Sequence, residues 1–180
     1  MKKTQTTLAG AYILEPRVFG DARGFFLESY NQRVMAELGI TQAFVQDNQS
    51  YSTKNVVRGL HYQIPRAQGK LVRAVAGEIL DVIVDLRRGS PTFGKWESVI
   101  LSEDNKRMLW IPEGFAHGFR VTSEGANVLY KATDFYAPET ERTLLWSDYE
   151  LQIDWHLDGD PIISAKDQKG IPFRDCEKFD

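Results

Sequence analysis

Four groups of residues have types and spacings suited to chemistry. Val57 to Gln63 reads Val-Arg-Gly-Leu-His-Tyr-Gln and holds Arg58 and His61 three positions apart in a strand-like run. Strict alternation would set the two on opposite faces, but a bulge at Gly59 would turn both to the interior. A neutral imidazole there is either a base suited to neutral pH or a histidine satisfied in a core or rim. Ile111 to Phe119, Ile-Pro-Glu-Gly-Phe-Ala-His-Gly-Phe, sets a tight turn just before a strand that opens with His117. Val128 to Tyr136 carries Tyr130 and Tyr136 at the same parity. On one unbroken strand both phenols face one side, as an apolar wall or as a proton donor beside a stacking surface. The fourth group is Arg23, Gln46, Asn48, Arg58, Lys70 and Arg73, each of which alone reads as a surface residue. Together they could build an anion pocket that grips phosphate oxygens through bidentate arginines. Asp167, after Lys166, falls in a late loop where a solvated turn is its ordinary role.

Such groups work only if strands hold them. From Ile79 the chain alternates Ile79, Asp81, Ile83 and Asp85 on one parity with Leu80, Val82, Val84 and Leu86 on the other, the period of a strand with one uniformly apolar face. Further strands are expected over Phe25–Tyr30, Val56–Gln63, Lys70–Ala76, Trp96–Leu101, Arg107–Ile111, Ala116–Val121 and Val128–Tyr136, separated by Gly, Pro, Asn, Asp and Ser clusters. Short strands with turns between them predict a β-sandwich, jelly roll or barrel. Asn31 is suited to cap one short helix reaching Leu38, with Gly39 just beyond its end. A turn or two is expected after Ser147-Asp148. Beyond Trp155, Pro161, Gly170 and Pro172 predict loop with one further short element.

At 180 residues, 42% hydrophobic and 26% charged, the chain is expected to form one domain over 1–180 with a core of its own. The single cysteine, Cys176, leaves no intrachain disulfide framework and favours a reducing compartment, so the expected location is cytoplasmic. Met1-Lys2-Lys3 is followed by Thr4-Gln5-Thr6-Thr7 rather than an apolar run, and no apolar stretch approaches a membrane span. A net charge of -3 and basic runs no longer than pairs leave no footprint for nucleic acid.

Several strings share one order and spacing with a known family. They are Phe19 to Glu28 (Phe-Gly-Asp-Ala-Arg-Gly-Phe-Phe-Leu-Glu), Gln46-Asp47-Asn48, Arg58-Gly59-Leu60-His61-Tyr62-Gln63, Gln68 to Arg73, Asp85-Leu86-Arg87 with Ser90 to Gly94, and Trp110 to Phe119. From about Phe19 to Asp167 the chain resembles the dTDP-4-dehydrorhamnose 3,5-epimerases. The resemblance implies an all-β, cupin-type jelly roll (double-stranded β-helix) with a few short peripheral helices. It also implies a homodimer that uses no cofactor and no metal. It accounts for the Pro-x-Gly-x-x-His string, which matches the second motif of cupins. The ligand half-motif of metal cupins is absent, since the only other histidines are His61 and His156. His117 is therefore read as a fold marker and pocket wall.

Residue by residue, the resemblance implies that His61 is the base, Asp167 the carboxylate that orients it, Tyr130 the acid and Lys70 the cation beside the sugar carbonyl. Arg23, Phe26, Glu28, Gln46, Asn48, Arg58, His117 and Tyr136 are implied ligands of a dTDP-4-keto-6-deoxysugar, Arg23 reaching across the dimer and Tyr136 stacking on the base. Val57 departs from the leucine more usual before the arginine, which leaves the implied catalytic residues as they are. The implied reaction is inversion at C5 and C3 of the 4-keto sugar. Competing readings are an epimerase of C3 or C5 alone, an inactive sugar-nucleotide-binding jelly roll, and a metal-dependent cupin oxygenase.

Overall fold

The alternating run from Ile79 becomes a strand, Glu78–Asp85, whose two faces both leave water. Ile79 and Ile83 enter one apolar cluster, while Leu80, Val82 and Val84 enter a second. A strand apolar on both sides must lie inside a layered structure.

The computed structural model describes residues 1–180. In chain order its strands are β1 (Lys2–Gln5), β2 (Tyr12–Glu15), β3 (Val18–Asp21), β4 (Gly24–Leu27), β5 (Gln46–Thr53), β6 (Val56–Gln63), β7 (Lys70–Ala76), β8 (Glu78–Asp85), β9 (Trp96–Ser102), β10 (Met108–Ile111), β11 (Phe115–Val121), β12 (Gly125–Ala132), β13 (Glu141–Thr143) and β14 (Ile162–Ile163). One helix, α1 (Gln32–Glu37), follows β4, capped by the Asn31 side chain, which accepts from the N–H groups of Arg33 and Val34. Gly39 follows it at φ +85, a left-handed conformation suited to a helix end.

A six-stranded sheet in the order β1-β2-β10-β7-β12-β5 faces a five-stranded sheet in the order β13-β6-β11-β8-β9, and β14 adds to β6 in parallel. Every other pairing within these sheets is antiparallel, the architecture of a cupin-type jelly roll. Between the sheets lies the first cluster, with Val72, Ala74, Leu109 and Val128 from one side and Ile79, Ile83, Phe115 and Phe119 from the other. The outer face of the five-stranded sheet is covered by the C-terminal segment through Leu144, Leu151, Trp155 and Cys176. The outer face of the six-stranded sheet packs Leu71, Met108 and Trp110 against Met35 of α1. β3 and β4 pair only with each other, and Phe25 and Phe26 there are 60% and 70% exposed. No helix is long and apolar enough to cross a membrane.

Two expected strands are cut short. The strand expected over Val128–Tyr136 ends at Ala132, because the Asp134 carboxylate accepts from the Phe135 N–H and binds the Arg66 guanidinium, which turns the chain. Tyr130 and Tyr136 therefore do not share a strand face. The strand expected over Phe25–Tyr30 stops at Leu27, which pairs with Val18, the first residue of β3, so no partner strand continues beyond it.

Candidate active site

Toward one end of the sandwich the inward side chains change from apolar to polar and leave a cavity of about 490 Å3. Arg58 and His61 of β6, Lys70 of β7, His117 of β11, Tyr130 of β12 and Asn48 of β5 all line it. Arg58 and His61 both face inward because β6 is bulged. His61 pairs with His117 and Arg58 with Phe119, so Gly59 and Leu60 together stand against Gly118. Gly59 takes φ +104, and a side-chain carbon on it would lie 2.7 Å from the His117 carbonyl oxygen. Only glycine fits there.

His61 Nε2 lies 2.6 Å from Asp167 Oδ1. A carboxylate can only accept, so Nε2 carries the proton and Nδ1 keeps its lone pair. Asp167 sits in a single 3-10 turn, Asp167–Lys169, almost wholly buried. Its backbone N–H donates to Ser164 Oγ, while its Oδ2 accepts from the Gly59 N–H at 3.3 Å. Burial acts to raise its pKa, yet the hydrogen bond and charge of His61 and the Gly59 N–H hold it below the ordinary carboxylate value. The bulge glycine thus also ties down the carboxylate behind the histidine.

Lys70 is buried, with Nζ 3.4 Å from the His61 carbonyl oxygen that accepts from it. Burial brings its pKa down to about 8, against the pull of Asp81 and then Glu141. His117 forms a second histidine–carboxylate pair, Nε2 to Asp81 Oδ1 at 2.6 Å. Burial lowers the His117 pKa in spite of Asp81, leaving a neutral ring. Tyr130 is pushed above its ordinary pKa by burial and then by the Glu141 charge, with Arg58 opposing, so the phenol stays protonated. Asn48 Nδ2 is buried with no partner, a donor left free in the cavity wall.

Gln46 and Tyr136 do not line the cavity and are joined to its wall through Asn48. Gln46 donates to Asn48 Oδ1 at 2.9 Å and accepts from the Tyr136 N–H at 2.8 Å. Tyr136 is half exposed and its hydroxyl donates to Glu141, whose carboxylate also pairs with Lys166 at 2.5 Å. Arg23, Phe26 and Glu28 are not brought to this cavity. Arg23 bonds only to Asp21 at the tip of the β3–β4 hairpin, Phe26 is exposed, and Glu28 accepts from Asn31. Arg73 faces the opposite side of the six-stranded sheet, where it lines an adjoining cavity with Leu71 and Met108 that shares Asp47, Asn48 and Tyr130 with the first.

Asp81 and Glu141 escaped the sequence reading. Asp81 was visible only as a polar position of an alternating strand, and Glu141 has no neighbour in sequence that signals a site. No three His, Cys, Asp or Glu side chains come together as a set that could hold a metal ion.

The family model for dTDP-4-dehydrorhamnose 3,5-epimerase matches residues 5–175. The dTDP-4-dehydrorhamnose 3,5-epimerase of Pseudomonas aeruginosa is 59% identical over 180 residues, 99% of each chain. A solved structure of the dTDP-6-deoxy-D-glucose-3,5-epimerase of Legionella pneumophila, in complex with dTDP-4-keto-L-rhamnose, superposes with a TM-score of 0.95 at 50% identity, covering 98% of this chain and 94% of that one. A 3'-monoepimerase from Streptomyces bikiniensis in complex with dTDP-quinovose is more distant, with a TM-score of 0.88 at 30% identity over 94% of this chain and 86% of that one. Fold and cavity together define a cupin-type isomerase of sugar nucleotides. Within that class, the chain belongs to the dTDP-4-dehydrorhamnose 3,5-epimerase family.

Proposed function

We propose that the chain converts dTDP-4-dehydro-6-deoxy-D-glucose to dTDP-4-dehydro-L-rhamnose, inverting C5 and C3 of the 4-keto sugar in the making of dTDP-L-rhamnose. The observation that carries this reading is the His61–Asp167 pair at 2.6 Å on a wall of the cavity that Tyr130 and Lys70 also line. A base, its orienting carboxylate, a cation and a neutral acid are the groups that proton transfer beside a ketone requires.

His61 Nδ1 takes the proton from the carbon beside the carbonyl. The C–H electron pair becomes the carbon–carbon double bond, and the carbonyl π pair moves onto oxygen as an enolate. Lys70, as an ammonium, stabilises that oxygen in a pocket with little water. Asp167 holds the tautomer and balances the imidazolium. Tyr130 then gives its proton to the opposite face of the carbon while the carbonyl re-forms. Solvent restores His61 and Tyr130 before the second carbon reacts.

Arg58, Gln46, Asn48 and His117 hold the diphosphate and sugar, and Tyr136 stacks on the thymine. Arg23, Phe26 and Glu28 serve the site of a second copy, so the working form is a homodimer. The exposed phenylalanines of a hairpin that pairs with no other strand of its own chain support this. The enzyme acts in the cytoplasm without cofactor or metal.

Proton NMR of the 4-keto sugar nucleotide in D2O tests the reading. Inverted product with solvent deuterium at both C3 and C5 is expected. Deuterium at one carbon identifies a single-site epimerase, and none at either overturns the epimerase assignment.

A further inference from the structure

Arg58 is exposed on the cavity wall, and its charge is held there without a counterion. Arg23, Arg66, Arg87, Arg120 and Arg142 each pair with a carboxylate, whereas no carboxylate pairs with Arg58. Two neutral acceptors hold it instead, both from β5. Its Nε donates to Ser52 Oγ at 2.8 Å, and its Nη2 donates to the Tyr51 carbonyl oxygen at 3.4 Å. Nε and Nη2 form one edge of the planar guanidinium. With that edge turned to β5, the other edge, Nη1 and the remaining hydrogen of Nη2, is left to grip two oxygens of a ligand.

Ser52 follows Gln46, Asn48 and Ser50 at the same parity of β5, opposite Ala126 of β12. It is buried, and Arg58 is the one hydrogen-bond partner of its hydroxyl. A buried hydroxyl is costly unless it is bonded, so a single bond to a side chain that is itself exposed marks where its effect lies. We infer that Ser52 is a positioning residue for diphosphate binding, whose hydroxyl aims the Arg58 guanidinium into the cavity and leaves its charge uncancelled. A carboxylate at that place would hold the arginine more firmly but neutralise the charge that the diphosphate needs. This rests on the reading above in which Arg58 holds the diphosphate of the sugar nucleotide. Without the hydroxyl the guanidinium is free to rotate, and ligand binding then carries the cost of ordering it.

Ser52→Ala removes one oxygen and adds no bulk, and calorimetric titration with two probes reads its effect. One probe is dTDP, and the other is thymidine, which keeps the base and lacks the phosphates. The variant is expected to bind dTDP about 5–10-fold more weakly and to bind thymidine as wild type does. In an Arg58→Met background, Ser52→Ala is expected to leave the dTDP affinity where Arg58→Met alone sets it. A serine that only supports the strand would weaken both probes alike and would act equally with or without Arg58, and either result overturns the inference. A loss of dTDP affinity in Arg58→Met with none in Ser52→Ala defeats the inference alone. Wild-type dTDP affinity in Arg58→Met removes Arg58 from the diphosphate site and overturns the reading beneath it as well.

Discussion

Arg58 and His61 face one cavity although two residues separate them, because Gly59 and Leu60 of β6 stand against the single Gly118 of β11. The same glycine donates its N–H to Asp167, so the bulge sets both the facing of the histidine and the place of its carboxylate.

Gly59→Ala is expected to disable the protein at this point. Its φ of +104 disfavours any side chain, and the added carbon would meet the His117 carbonyl oxygen at 2.7 Å and Gly118 Cα at 2.8 Å. Both obstacles are backbone, so the strands have to part. A loss of roughly 3 kcal/mol in urea unfolding is expected, with turnover falling even in the folded fraction. Wild-type stability in Gly59→Ala would mean that the bulge is not needed.

His61→Ala is expected to abolish solvent exchange at C3 and C5 together with epimerisation, since no enolate forms without a base. The loss is about 10²–10⁴-fold. Asp167→Asn is expected to keep substrate binding while kcat falls, because an amide neither fixes the tautomer nor balances the imidazolium. Deuterium exchange followed by NMR measures both. Near wild-type exchange in His61→Ala would assign the base to another residue.

Much of this arrangement is legible in the sequence, and the unread part has a common cause. β6 and β7 read correctly because each is a short run holding several apolar residues between turn-forming clusters, and Gly59 marked the bulge. β5, Gln-Asp-Asn-Gln-Ser-Tyr-Ser-Thr, has no aliphatic residue to alternate, since its inward face meets the polar cavity rather than the core. Functional lining erased the pattern by which strands are recognised. Asp81 and Glu141 became site residues only through pairings between strands distant in the chain. Tyr136 was misjudged because the turn that removes it from β12 is made by Arg66, a partner far away in sequence.

Lys70 carries a conflict between stability and function. Held at about 8 rather than its ordinary 10.5, the amine costs the folded state up to roughly 3 kcal/mol while it is protonated both folded and unfolded. The sign follows from the lowered value. The cost is complete below about 8, fades as pH rises from there to 10.5, and vanishes above it. Lys70→Met is therefore expected to unfold at a higher temperature than wild type at neutral pH, with the difference shrinking in alkaline buffer, while turnover is lost. A less stable Lys70→Met protein at neutral pH would contradict this account of its burial.

Tyr130→Phe tests the division between base and acid. The ring and its packing remain, and only the hydroxyl is removed. His61 can still take a proton and return a deuteron to the same face, so exchange with retention is expected to persist. Epimerised product is expected to fall by about 10²-fold or more beyond any fall in exchange. Equal losses of exchange and inversion would place Tyr130 outside the reprotonation step.

The hairpin makes the oligomeric claim testable by complementation. Arg23 has a side chain that is 90% exposed and lies away from the cavity of its own chain. If it completes the site of a second copy, Arg23→Ala removes a ligand from the partner's cavity, while His61→Ala disables only its own. A hybrid dimer of the two variants then contains one cavity with an intact His61 facing the intact Arg23 of the other chain, and a second cavity with neither group. The second cavity is dead and the first is complete, so each hybrid is expected to recover about one wild-type site, more than Arg23→Ala dimers show at equal intact His61. Were Arg23 to act within its own chain, each hybrid would hold one Arg23→Ala site and one His61→Ala site, and nothing would be recovered. The converse hybrid joins wild type to a double variant, Arg23→Ala with His61→Ala on one chain. In a shared-site dimer its only intact His61 faces the variant arm, and activity per hybrid falls to that of one Arg23→Ala site. In a self-contained site the wild-type chain keeps full activity, and that outcome, measured on tag-purified hybrids, would refute the shared cavity.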